Sequence, residues 1–190
     1  WDPSLAIIYS IDPTPGRHMQ TNQNLGHKNI DKIFPNIDFS TCAGKNRKKF
    51  SGRAGEIKVL SSLVHSVNTL GLCLFAWGST DILVHVKHLA AITGFDLNIE
   101  EFTKTGERIM NLRQAFNLRE GINQLSYKIP GRVLGKPPLH NGKTKGIVID
   151  YVTMLREFYA EVDWDLNTSK PSKKKLKELD LGWIINDIYK

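Results

Sequence analysis

The sequence has few cysteines and no long apolar run, and these absences exclude several classes of protein. Cys42 and Cys73 are the only cysteines among 190 residues. Two cysteines cannot build the disulfide framework of a small secreted domain, and these two form no C-x-x-C pair typical of zinc or redox sites. No apolar stretch approaches the roughly 18 residues that cross a bilayer, and the start WDPSLAII lacks the features of a signal peptide. We therefore expect a cytoplasmic protein without a membrane span.

The chain is basic, and the location of its charge decides which partners it favours. The net charge is +7 and the pI is about 9.4. The positive charge clusters at Asn46–Lys49 and at Lys170–Lys177. Neither cluster interleaves aromatic residues or lies in a nucleic-acid-binding pattern, so the sequence predicts no nucleic-acid partner. The alternative function is a stand-alone helical interaction module whose Lys170–Lys177 segment docks an acidic protein.

The apolar periodicity predicts an all-α fold. Apolar residues recur at three and four positions along five segments, over 54–71, 80–94, 98–121, 151–162 and from 172 onward. Thr80 and Ser172 are expected caps, and Asn98 with Glu101 resembles a capping box. Strands are nearly absent, and GIVI (Gly146–Ile149) is the best candidate. The sequence predicts an irregular multi-helix bundle with long connectors rich in proline and glycine.

Composition also predicts the organisation of the chain. Residues 1–53 form a loop-rich segment that packs on, or leads into, a helical domain over 54–190. Within that domain we expect one group of helices over 54–121, a connector over 122–150 and further helices over 151–190. The opening Trp1, with no methionine before it, favours a fragment of a longer protein.

Isolated titratable residues offer few further sites. His85 and His88 have helical i, i+3 spacing, but no acidic residue or cysteine stands beside them, so solvated or core-edge histidines are favoured over a metal site. Cys42 lies in a polar loop and has no predicted role. Cys73, considered alone, is equally consistent with a buried core thiol.

Several ordered motifs together resemble the C-terminal helical domains of the tungsten-containing aldehyde ferredoxin oxidoreductases. The resemblance is collinear over nearly the whole chain and weakest over 19–52. The motifs are DPTPGRH (Asp12–His18), GLC (Gly71–Cys73) with Asn68 three residues before it, TGERIMNLRQAFNLREG (Thr105–Gly121), IPGRVLGKPPL (Ile129–Leu139), and the ending DYVTMLREFYAEVDWD…KPSKKKLKELDLG. Ser169 and Asp180 stand where relatives tend to have glycine.

The resemblance gives Cys73 a role. In this family the cysteine of a D-x-x-G-L-C motif is the fourth ligand of a [4Fe–4S] cluster, whose other three ligands lie earlier in the full polypeptide. Gly71 would let the backbone approach the cluster or adopt a positive φ, and Leu72 would help to exclude water. Asn68 replaces the aspartate that binds the pterin; its amide can still donate and accept, so pterin binding there stays open. A cluster ligand requires a sulfur on an open face.

The resemblance also implies a function for the complete enzyme. It would oxidise aldehydes to carboxylic acids at a tungsten or molybdenum bis-pterin and pass electrons through the cluster to ferredoxin or a partner subunit. His18 is expected to assist proton movement at the substrate carbonyl, and Arg17 to contact substrate or another anion. The missing N-terminal domain is the expected partner, and the isolated chain is expected to bind no cofactor and to be inactive.

Overall fold

The described part of the chain is helical, as the sequence predicted. The computed structural model describes residues 2–17, 29–40 and 48–189. The α-helices in these ranges are α1 Ser4–Ile11, α2 Ile30–Ile33, α3 Ala54–Thr69, α4 Leu74–Gly78, α5 Ile82–Thr93, α6 Ile99–Arg119, α7 Tyr151–Val162, α8 Lys173–Glu178 and α9 Ile185–Ile188. Short 3₁₀ turns lie at Gln124–Ser126 and Gly182–Ile184. None of the described helices is long and apolar enough to cross a membrane.

The strand expected at Gly146–Ile149 was wrong. The described residues contain only an isolated antiparallel bridge between Trp164 and Pro171. The GIVI segment instead runs past a turn of the connector, where the Ile149 N–H donates to the carbonyl of Leu134 at 2.9 Å. Its apolar residues reflect the burial of Ile149 rather than strand pairing.

The two longest helices, α3 and α6, cross at the centre of the molecule. Gly106 on α6 allows the close approach, because the backbone of α3 fills the space where a side chain would project. At the same crossing the Ser66 hydroxyl donates to the carbonyl of Phe102 at 2.6 Å. This pair therefore forms the frame on which the other helices pack.

Side chains cap the starts of α5, α6, α7 and α8, and two of the three predicted caps are confirmed. The Asn98 carboxamide oxygen accepts the Glu101 N–H at 2.8 Å, and the Ser172 hydroxyl accepts the Lys175 N–H at 2.9 Å. The cap expected at Thr80 was wrong. Asp81 caps α5 by accepting the Leu83 N–H at 2.9 Å, because a carboxylate is at least as good a cap as a hydroxyl.

Helix α1 was not expected from the sequence. Its residues SLAIIYSI are apolar on nearly all sides, so they show no amphipathic period. Ala6, Ile7 and Ile8 are at most 1% exposed. The helix lies within the core, and the hydroxyl of Tyr151 on α7 donates to the Ser10 hydroxyl at 3.0 Å.

Within the described ranges the buried apolar side chains form three clusters. The first joins α3, α5 and the start of α6; the second joins α1 and α7; the third joins α6 to the C-terminal helices. Representative buried residues are Leu63, Val67, Ile82 and Phe102 in the first, Ile7, Ile8, Phe158 and Trp164 in the second, and Ala115, Leu176, Leu179 and Ile188 in the third. Since α3 and α6 contribute to more than one cluster, they connect the whole bundle.

Candidate functional site

Cys73 lies on the surface at the start of α4. Its thiol is free and exposed, and its backbone is extended at φ −67° and ψ 125° immediately before the helix. The backbone N–H groups of Ala76 and Phe75 face the sulfur and lower the pKa of the Cys73 thiol below its usual value. The sulfur therefore has an open face, and the two N–H groups favour its thiolate form relative to an ordinary cysteine.

The segment before Cys73 brings the other predicted cluster-side residues to the same surface. Asn68 lies on the last turn of α3 and is exposed. Gly71 follows with φ 68° and with open space where a side chain would project. This left-handed conformation favours glycine and turns the chain so that Leu72, 44% exposed, and Cys73 point outward.

The described residues can supply one ligand of a cluster but not a complete set. A [4Fe–4S] cluster is held by four thiolates. The described ranges contain no group of three or more histidine, cysteine, aspartate or glutamate side chains able to hold a metal, and Cys42 falls outside them. Cys73 thus fits a cluster whose remaining ligands come from elsewhere.

The two histidines with helical spacing do not assemble such a group. His85 contacts the hydroxyl of Thr80 through its Nε2 atom, and His88 is exposed on α5. Neither contributes to a metal-binding cluster within the described part of the chain.

Exposed apolar side chains occur on α4, on α5 and in the loop after α5. Phe75 on α4 is 67% exposed, Ile92 near the end of α5 is 83% exposed, and Phe95 in the next loop is 68% exposed. Apolar residues this exposed commonly mark a surface that another protein or domain covers when they lie together. Phe75, two residues after Cys73, places one such exposed apolar side chain next to the candidate site.

The predicted turn at 12–18 is only partly described. Arg17 is exposed, and its charge is one of the factors that oppose a rise in the pKa of Asp12. His18, the predicted catalytic residue, lies outside the described residues. The sequence prediction for His18 therefore stays a prediction.

A buried polar cluster that the sequence did not reveal lies beneath this turn. The Asp12 and His65 side chains are 0% and 2% exposed, and their Oδ2 and Nε2 atoms are 3.8 Å apart. Arg113 of α6 donates to Nδ1 of His65 at 3.4 Å and lies 3.5 Å from Oδ1 of Asp12. Burial, then the positive charge of Arg113, lowers the pKa of His65 to about 3, so the imidazole is neutral near pH 7.

One sequence signal pointed to this cluster. His65 directly follows Leu63 and Val64 on α3, beside the apolar stripe, where an unpaired buried polar side chain would be costly. Its partners could not be identified, because Asp12 and Arg113 lie on segments that only the tertiary fold brings together.

The basic Lys170–Lys177 segment is partly used within the fold. Lys175 is mostly buried, with its Nζ 3.1 Å from Glu107 and 3.0 Å from Glu178. Lys170 and Lys173 each place an ammonium about 5 Å from the Tyr189 ring, at 5.2 and 5.0 Å. These contacts occupy three of the lysines that a docking helix would present.

Comparison with known proteins identifies the family. The family model for domains 2 and 3 of aldehyde ferredoxin oxidoreductase matches residues 2–181. The chain therefore belongs to the aldehyde ferredoxin oxidoreductase family, and the resemblance found in the sequence is confirmed.

Individual relatives carry the name tungsten-containing aldehyde ferredoxin oxidoreductase. The chain is 33% identical to the Pyrococcus abyssi protein over 124 residues, which is 65% of this chain and 20% of that protein. It is 32% identical to the Pyrococcus furiosus protein over 131 residues, or 67% and 21% of the two chains. It is 31% identical to the Thermococcus kodakarensis protein over 117 residues, which is 61% of this chain and 19% of that protein. The similarity thus spans only about a fifth of each relative.

Proposed function

We propose that this chain is the C-terminal helical part of an enzyme that oxidises aldehydes to carboxylic acids. The complete enzyme would use a tungsten or molybdenum bis-pterin and a [4Fe–4S] cluster, and would pass electrons to ferredoxin or a partner subunit. Membership in the family supports the proposal, as does the name of the relatives. The observation that carries it is the exposed Cys73 sulfur at the start of α4.

Cys73 would hold one iron of the cluster. A cluster ligand must be a thiolate, and the N–H groups of Ala76 and Phe75 favour that form of Cys73. N–H groups near a cluster sulfur also affect the reduction potential. Cys73 would therefore bind iron and influence the energy of electron transfer.

Asn68 and Gly71 would shape the cofactor side of the same surface. The Asn68 carboxamide can donate and accept hydrogen bonds, so it can contact the pterin without the charge of the family's aspartate. Gly71 leaves open space in front of the turn, which allows a large cofactor to approach the backbone. Leu72 would then separate the cluster from water.

The missing N-terminal domain of the same polypeptide would cover this surface. The exposed Phe75 side chain beside Cys73 supplies apolar area for such a contact. The other three cluster thiolates would come from that domain. The isolated chain would consequently be colourless and inactive, and a reducing, cytoplasmic location would keep Cys73 available as a thiol.

Arg17 and His18 would act on the substrate side. His18 would move a proton at the substrate carbonyl, a task suited to an imidazole with a pKa near neutrality. Arg17, exposed at the end of the same turn, would contact an anionic group. These two roles rest on the motif DPTPGRH alone.

The cluster assignment is tested in the complete polypeptide encoded by the gene. We expect a C-x-x-C-x-x-x-C run upstream of Trp1, and a purified protein that contains iron and shows the EPR spectrum of a reduced [4Fe–4S] cluster. Cys73→Ser should lower the iron content and change or abolish that spectrum, because one ligand is lost.

Cys42→Ser is the matched control, since it removes the other cysteine of this chain. It should leave iron content and spectrum unchanged. A Cys73→Ser protein with an intact cluster, or a reading frame without the three upstream cysteines, would contradict the proposal.

A further inference from the structure

We propose that the cavity between the Asp12–Arg17 turn and α6 binds a small organic carboxylate through Arg113. The cavity has a volume of about 420 Å³ and is lined by Pro13, Thr14, Leu112, Arg113, Phe116 and Asn117. This volume is in the range of roughly 300–1,000 Å³ found for small-molecule pockets. The inference rests on the charge and shape of this cavity and does not depend on the proposed oxidation reaction.

Arg113 is held in a fixed orientation at the wall of the cavity. Its Nη2 donates to the Thr14 hydroxyl at 2.6 Å, and the contacts to Asp12 and His65 hold the guanidinium from below. Its side chain remains 28% exposed. These contacts engage Nη1 and Nη2. A prearranged guanidinium of this kind loses little freedom on binding.

The buried groups behind Arg113 serve to hold it rather than to contact a ligand. Asp12 Oδ2 and His65 Nε2 have no hydrogen-bond partner among the described residues, although both side chains are almost fully buried. Because Arg113 donates to Nδ1 of His65, the neutral ring carries its proton on Nε2, which faces Asp12. Such buried polar groups are costly, and a functional requirement for the position of Arg113 explains why they are tolerated.

The charges around the cavity favour an anion. Asp12 offsets the charge of Arg113, and Glu120 pairs with Arg119 at 2.9 Å. Arg17 is close enough to influence Asp12 electrostatically and adds a further positive charge. Among the described residues, the charges of Arg113 and Arg17 therefore both act near this cavity, against the single buried carboxyl group of Asp12.

The remaining walls favour an apolar body on that anion. Phe116 is 53% exposed and Leu112 is 39% exposed, and both face the cavity. The Arg119 guanidinium lies 5.0 Å from the centre of the Phe116 ring and supports one side of it. On the opposite side, Asn117 donates to the Pro13 carbonyl at 2.7 Å and fixes the turn against α6.

A carboxylate with an apolar group fits these features better than an inorganic anion. The guanidinium can donate a charge-assisted hydrogen bond to a carboxylate, and Leu112 and Phe116 can contact a ring or alkyl chain. An inorganic phosphate would leave the apolar walls without a partner. A ligand with one carboxylate and one apolar group therefore defines the chemical class.

Benzoate is a suitable probe, with benzyl alcohol and inorganic phosphate as comparisons. NMR titration of the chain should show saturable benzoate-dependent shifts for Thr14, Arg113 and Phe116. Benzyl alcohol, which has the ring but no charge, and phosphate, which has charge but no ring, should bind at least about ten-fold more weakly, or about 1.4 kcal/mol. Equal binding of phosphate, or no saturable benzoate shift, would overturn the proposal.

Three variants separate binding from folding. Arg113→Lys keeps the positive charge near Asp12 but loses the planar guanidinium that Thr14 and His65 hold in place, and should weaken benzoate binding about ten-fold. Arg17→Gln and Phe116→Ala change exposed side chains, so they should leave the fold intact and weaken binding several-fold. Arg156→Gln removes an exposed arginine on α7 and is the control, with no expected effect.

The variants test the proposal whether or not Arg113→Lys folds. If Arg113→Lys fails to fold, Arg17→Gln and Phe116→Ala still report on the site. Unchanged benzoate affinity in these two variants would overturn it. The titration needs neither iron nor pterin, so its failure would leave the cluster assignment of Cys73 untouched.

Discussion

Gly106 of α6 packs directly against the carbonyl group of Ser62 on α3. A methyl group added at Gly106 would overlap the Ser62 carbonyl oxygen and would also lie 2.8 Å from the Ser66 hydroxyl. Because the obstacle is helix backbone, it cannot move aside as a flexible side chain would. The central helix crossing therefore depends on the absence of a side chain at this position.

We expect Gly106→Ala to destabilise the protein. The higher helix propensity of alanine is worth about 1 kcal/mol, whereas separating two packed helices costs typically 1–3 kcal/mol and here more, because backbone must shift. The net effect should be a loss of at least about 1 kcal/mol in the free energy of unfolding, measured by urea denaturation. Gly182→Ala, where the new methyl group would meet only Lys177 at 3.6 Å, is the control. Equal stability of the two variants would contradict this packing.

Asp180→Gly should stabilise the protein. Asp180 has φ 61°, a left-handed conformation that is unfavourable for a residue with a side chain. Its contact with Arg108 at 3.4 Å is exposed and contributes little. We expect a gain of up to about 1 kcal/mol in the free energy of unfolding. A decrease in the denaturation midpoint would show that the Arg108 contact outweighs the backbone strain.

Ser169→Gly offers a contrasting case, because Ser169 also has a positive φ, 58°. Its hydroxyl lies in the core and contacts Asn123 at 2.9 Å and Tyr159 at 3.2 Å. Loss of these hydrogen bonds should cost about 1 kcal/mol or more each and should outweigh the relief of strain. The denaturation midpoint of Ser169→Gly should therefore fall below that of Asp180→Gly.

The buried imidazole of His65 should make stability depend on pH. Burial lowers the pKa of His65 to about 3 in the folded state, so between that value and about 6.5 the unfolded chain binds more protons. Stability should therefore fall as the pH decreases through this window, by up to about 1.4 kcal/mol per pH unit. Urea denaturation at several pH values should show a smaller slope for His65→Gln than for the original chain.

Two comparisons isolate the effect of His65. His88→Gln changes an exposed histidine on α5 and should leave the slope unchanged. Burial raises the pKa of Asp12, although the Thr14 N–H, Arg113 and Arg17 oppose the rise. The effect of Asp12 on the pH dependence of stability is opposite to that of His65, because a raised carboxyl pKa favours the folded state at low pH. If the stability of His65→Gln depends on pH as steeply as that of the original chain, proton uptake by His65 does not contribute to the pH dependence.

Cys73 should react faster with an alkylating reagent than an ordinary thiol does at neutral pH. The N–H groups of Ala76 and Phe75 lower its pKa, and the thiolate is the reactive form. Iodoacetamide labelling followed by mass spectrometry in a Cys42→Ser background should give a pH midpoint below the ordinary thiol value of about 8.5. Unfolding the chain in urea should raise this pH midpoint toward the ordinary thiol value. Equal midpoints in the folded and unfolded chain would show that the N–H groups of α4 do not lower the pKa of Cys73.

Amphipathic periodicity predicted the long helices because each has one buried and one exposed side. Helices α3 and α6, and the caps at Asn98 and Ser172, follow from this pattern and from local hydrogen bonding. Helix α1 escaped prediction because burial on all sides removes the periodicity. The choice of Asp81 over Thr80 as cap is a competition between adjacent residues that periodicity does not resolve.

The two candidate sites differ in how far the sequence reveals them. Cys73 and its neighbours Asn68, Gly71 and Leu72 are adjacent in the chain, so a short motif identifies them together. The cluster of Asp12, His65 and Arg113 is assembled by packing of a turn against two helices. Its members are far apart in the sequence, and their shared chemistry appears only when the helices are in place.

The burial of α1 also constrains how the chain is synthesised. Ser10 and its partner Tyr151 are separated by 141 positions. At a translation rate of about 5–20 residues per second, Ser10 of α1 is synthesised roughly 7–28 s before Tyr151, the first residue of α7. An apolar segment without its partner for this time is a natural binding site for a chaperone, so production of the chain should depend on chaperone supply.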